Sequence, residues 1–176
     1  MVVLDASFVL LMLEPSAPAP KDPTTGNPVG KCKERIEHLV DQLTKARTPV
    51  VVPAPALAEV LIRAGRARAA YLDGLQSTRA IKIEPFGTRA AVECAALLDG
   101  AIKTGKRRRR PEETWAKLKY DRQILAIAKV LGAATLYTTD DDLSALAERN
   151  GIHAVRVHEL ELPPVDAQIP LLPPAT

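Results

Sequence analysis

ATLYTTDDDLSALAERNG, residues 134–151, carries a strand into a helix across three consecutive aspartates. Ala134–Tyr137 is a short run of β type. Asp141–Arg149 is a short helical segment, closed by the turn at Asn150–Gly151. Like charges side by side repel, so Asp140, Asp141 and Asp142 need a reason. Either they are solvated charges that open the helix, or at least one of them binds a cation.

The same unit recurs outward in both directions. Val2–Leu4, PVVV at 49–52, Ile81–Ile83 and HAVRV at 153–157 are further strand-type runs. Helical patterns lie between them. KCKERIEHLVDQLTKA places Ile36, Leu39, Val40 and Leu43 on one face, the spacing of an amphipathic helix. PALAEVLIRAG opens with Pro55 and closes at Gly65. Thr88–Lys103 and Arg122–Leu131 are two more, the second closed by Gly132. Strands alternating with helices predict an α/β fold, a central parallel sheet with helices packed on it. One domain over residues 1–160 accounts for this pattern. PSAPAPKDPTTGNPVG, residues 15–30, has five prolines and reads as an exposed loop insert. Residues 161–176 form a proline-rich C-terminal tail, whose Ile169, Leu171 and Leu172 suit docking on the domain or on a partner.

The chain has 176 residues, enough for one domain with a core. No run approaches the roughly 20 apolar residues of a membrane span. The run Ala6–Leu13 follows Asp5 and lacks a basic region before it, which argues against a signal peptide. Cys32 and Cys94 make no disulfide framework and have no metal-type spacing. The expected location is the cytoplasm. The formal net charge of +3 is unevenly spread. Lys103–Arg122 carries nine basic and three acidic residues, a local +6 that leaves −3 for the rest. Such a block points to a polyanionic partner.

In a βαβ unit, strand C-termini and helix N-termini share one edge of the sheet, the edge where open α/β sheets bind ligands. Asp5 follows the first strand, Glu59 lies near the start of the helix after strand 49–52, Asp121 opens the helix before strand 134–137, and Asp140 follows that strand. Four carboxylates at one edge raise each other's pKa unless compensated. A hard divalent cation such as Mg²⁺ removes the conflict and can activate a water against a phosphodiester. Each residue also has a plainer use. Asp121 and one of Asp140–Asp142 suit helix N-caps, Asp5 a turn, Glu59 a solvated helix face, and the run KRRRR a solvated loop.

Four segments resemble the PIN-domain nucleases, in particular the toxin ribonucleases of bacterial toxin–antitoxin pairs. They are VVLDASFVLLML with Asp5 and Ser7, VVPAPALAEVL with Glu59, KYDRQILAIAKVLGA with Asp121, and ATLYTTDDDL with Thr138, Asp140 and Asp142. The resemblance covers roughly residues 1–14 and 47–160. It implies a three-layer PIN-like fold and a metal-dependent endoribonuclease using Mg²⁺ or Mn²⁺. Carried onto this sequence, Asp5, Glu59, Asp121 and Asp140 form the catalytic cluster. Asp5, Asp121, Asp140 and Asp142 are the metal ligands, and Ser7 and Thr138 orient them or a water. On this register Asp141 faces solvent. Arg107, Arg108, Arg109, Arg110 and Lys119 are the candidate RNA contacts. The implied partners are RNA, a small antitoxin and a second copy of the chain, with no membrane. The proline-rich insert and tail depart from the family pattern.

The competing reading is a PIN-like RNA-binding or protein-interaction module without catalysis. An aspartyl-phosphate phosphohydrolase needs an acid two positions after its nucleophile, where Ser7 stands here. GKRRRRP lacks the spacing of a phosphate-binding loop. Aromatic residues are too few for a base-stacking platform; Trp115 and Tyr120, in or beside the basic block, are the exceptions.

Overall fold

The computed structural model describes residues 1–14, 16–103 and 115–164. Five parallel strands form one sheet: β1 (Val2–Leu4), β2 (Val50–Pro53), β3 (Ile81–Glu84), β4 (Thr135–Tyr137) and β5 (His153–Val155), in the order β3-β2-β1-β4-β5. Val2 pairs with Val50 on one side and Thr135 on the other. Every residue of β1 and β2 is buried. That is why these strands read as unbroken valine and leucine runs: a parallel strand covered on both faces has no polar side.

Among the described residues seven helices connect the strands: α1 (Ala6–Leu13), α2 (Cys32–Lys45), α3 (Ala54–Ala64), α4 (Arg68–Ser77), α5 (Thr88–Lys103), α6 (Trp115–Leu131) and α7 (Asp141–Arg149). For this strand order the right-handed crossover rule assigns α1–α4 to one face and α5–α7 to the other, giving three layers. The chain leaves β1 toward β2 and β3, then returns to lay β4 against β1 on its other side. The strand order reverses at β1, so β1 and β4 flank the switch point.

One element differs from the sequence expectation, and two were not read from the sequence. Ala6–Leu13 is a helix, although its nearly all-apolar composition shows no helical period. Arg68–Ser77 is also a helix; Gly65, at φ 53°, only starts a short 3-10 turn leading into it. Finally, α6 starts by Trp115 rather than at Arg122. Asp121 therefore lies about 9 Å along the helix from its described start and does not cap it.

The proline-rich insert has local order. Lys21 and Pro28 form an antiparallel bridge, the Val29 amide donates to the Pro20 carbonyl at 2.8 Å, and Val29 itself is buried. Most of Lys21–Pro28 is exposed, as expected. Among the described residues no helix is long and apolar enough to cross a membrane. Cys32 and Cys94 are free. The tail beyond residue 164 lies outside the described residues.

Candidate active site at the switch point

Asp5 ends β1 and caps α1. Its Oδ1 accepts from the Ala6 amide at 2.6 Å, and its Oδ2 accepts from Ser7 Oγ at 2.7 Å and Thr138 Oγ1 at 2.9 Å. Asp5 is only 6% exposed. The two hydroxyls are themselves held by the chain after β4: the Asp140 amide donates to Thr138 Oγ1 at 3.0 Å, and the Thr139 amide to Ser7 Oγ at 3.2 Å. A closed network thus ties the ends of β1 and β4 together.

Burial pushes the Asp5 carboxyl above its ordinary range. Bonds from Ser7, Thr138 and Ala6 pull it back, and the charge of nearby Asp140 adds to the rise. Asp140 is the N-cap of α7, its Oδ1 accepting from the amides of Asp142 at 2.8 Å and Leu143 at 3.0 Å. Asp141 faces solvent, where its carboxylate pairs with Arg156. Asp142 is exposed in the first turn.

Among the predicted site residues, Asp5, Ser7, Thr138 and Asp140 come together. Glu59 sits in α3 and is bonded at 2.6 Å to Arg63 one turn on. Asp121 is half-buried on α6, which packs against α3. Among the described residues no group of three or more His, Cys, Asp and Glu side chains is drawn together as a metal shell. Lys119 is exposed on α6; Arg107, Arg108, Arg109 and Arg110 lie outside the described residues. Arg122, counted in the basic block by sequence, is buried. Sequence reasoning missed the Thr139 amide, because a backbone donor has no residue signature, and Arg156, whose pairing with Asp141 depends on β5 lying beside β4.

Mg²⁺ commonly binds through one or two carboxylates plus waters and substrate phosphates. A carboxylate has about four acceptor positions; at Asp5 the Ala6, Ser7 and Thr138 donors use three. A buried acid beside a second acid is also the environment a cation relieves. The Asp5–Asp140 pair fits such an ion.

Comparison with solved structures places the fold. VapBC2 from Rickettsia felis, bound to a DNA fragment from its promoter, matches with TM-score 0.60 at 14% identity, over 89% of this chain and 98% of that one. DNA-bound VapBC from Salmonella typhimurium matches with TM-score 0.54 at 15% identity, over 89% and 97%. The fold is PIN-like. The Mycobacterium tuberculosis toxin VapC20, which cleaves the sarcin–ricin loop, matches at TM-score 0.48 and 18% identity over 82% and 94%, too low to add weight. No family model and no curated protein matches the chain in sequence. At these identities the likeness concerns the fold alone.

Proposed function

We propose that the chain is a metal-dependent endoribonuclease that hydrolyses RNA with an activated water, acting as the toxin of a toxin–antitoxin pair. The observation that carries this is Asp5: a carboxylate at the switch point held by two hydroxyls, its pKa raised by burial and further by the charge of Asp140. Asp5 and Asp140 would hold Mg²⁺ or Mn²⁺, with Asp121, Asp142 and Glu59 supplying acids around the same edge. The bound cation would supply charge stabilisation at the phosphate and a more acidic water. Ser7 and Thr138 keep the Asp5 carboxylate in one orientation, which is their contribution whether or not the ion is bound.

The PIN-like fold and the four-segment resemblance support the nuclease class, and the VapBC proteins that share the fold support the partner reading. A groove of about 140 Å³ lined by Phe8, Met12, Leu39, Val40, Leu43 and Leu75 is suited to an apolar face of the antitoxin. Association into a homodimer belongs to the same proposal.

The test is cleavage of a mixed structured-RNA pool by wild type and Asp5→Asn, each with Mg²⁺, Mn²⁺ or EDTA. Cleavage that requires metal and is lost in Asp5→Asn is expected. Cleavage that persists in EDTA, or that survives the substitution, would overturn the assignment.

A further inference from the structure

A cleft lies beside the Asp5–Asp140 pair. It has a volume of about 260 Å³ and opens between the proline-rich insert and the segments that follow β4 and β5. Lys21 and Pro23 line it from the insert, Thr139 and Asp141 from the start of α7, and Arg156 and His158 from the end of β5. Thr139 connects this cleft to the acidic pair, since its amide holds Ser7 Oγ, which in turn donates to Asp5.

The cleft is built rather than incidental. The insert is pinned at its base by the Lys21–Pro28 bridge and by buried Val29, and the Asp22 carboxylate accepts from the Thr24 amide at 2.8 Å to close the turn. Opposite it, Asp141 anchors the Arg156 guanidinium, engaging one of its five donors. The Arg156 amide is fixed on Glu159 at 2.7 Å. A planar cation held in place by one carboxylate presents its remaining edge to a phosphate.

The charge pattern gives the wall a purpose. A nucleic-acid strand entering the Asp5–Asp140 site meets two carboxylates that repel its phosphates, so it needs cationic footing beside them. Lys119 stands on α6, over the face of the sheet covered by α5–α7. The insert belongs to the α1–α2 connection on the opposite face. Lys21 and Arg156 thus place two cations in the cleft beside Thr139.

We propose that this cleft is a substrate subsite in which Lys21 and Arg156 hold the sugar–phosphate backbone of single-stranded RNA beside the scissile phosphate. It rests on the nuclease reading above, and it gives the insert a role in positioning RNA. His158 forms part of the wall and Asp141 is a positioning residue for Arg156.

The test is binding of a fluorescein-labelled pool of short single-stranded RNAs in EDTA, followed by anisotropy across a salt series. Wild type, Lys21→Glu and Arg156→Gln are compared, with melting curves on each. Lys21 is exposed, so Lys21→Glu leaves the fold intact even if Arg156→Gln does not. The expected result is several-fold weaker binding by Lys21→Glu and a log–log salt slope shallower by about 0.7 for a lost phosphate contact. Wild-type affinity and slope in Lys21→Glu would overturn the subsite while leaving metal-dependent cleavage standing. No RNA binding by wild type, together with no cleavage, would overturn both readings.

Discussion

At the scale of single residues, Thr138 is the joint of the site. It is fully buried, and its one hydroxyl both donates to Asp5 and accepts from the Asp140 amide. Thr138→Val keeps the shape and removes both bonds, leaving a half-buried amide and a buried carboxylate short of a partner. Such losses cost about 1–3 kcal/mol, and loss of a ligand-orienting partner typically lowers activity about 10–100-fold. Melting curves should show the first effect and RNA cleavage rates at saturating Mg²⁺ the second. Full activity in Thr138→Val would remove the hydroxyl from the argument. Ser7 is less enclosed, and its hydroxyl bridges Asp5 to the Thr139 amide rather than to Asp140.

The three aspartates are explained at the scale of the element. They share out the work of starting α7: Asp140 caps it, Asp141 ties it to Arg156 after β5, and Asp142 places charge in its first turn. Negative charge there also suits the positive end of the helix dipole. Asp140 combines capping with proximity to Asp5, and the two roles separate by substitution. Asp140→Ala loses the cap and should destabilise the protein by about 1 kcal/mol. Asp140→Asn caps as well as aspartate does, so its melting temperature should stay near wild type while its metal-dependent cleavage falls as far as that of Asp140→Ala. Cleavage by Asp140→Asn at the wild-type rate would reduce Asp140 to a cap.

At the scale of the whole molecule, the site depends on β1 and β4 lying side by side, because its two halves are 133 residues apart. Leu136, in the middle of β4 and fully buried, holds that junction from below. Leu136→Ala should cost about 2–5 kcal/mol, read by chemical denaturation. The sheet and most of its helices were legible in the chain, since buried parallel strands write themselves as valine runs and α2 shows its period through Ile36 and Leu39. Two helices were not: α1 is apolar on nearly every side, and α4 buries only Leu75. The insert's prolines and glycines announce a turn but not where it leans. The order of the acids and the strand ends they occupy are local properties of the sequence, set by the apolar runs that precede Asp5 and Asp140. Which acids meet is not local. Only the return of the chain to β1 brings Thr138 and Asp140 onto Asp5, keeps Asp121 inside a longer helix, and sets Lys21 across from Arg156, because those contacts depend on strand order and packing between distant segments.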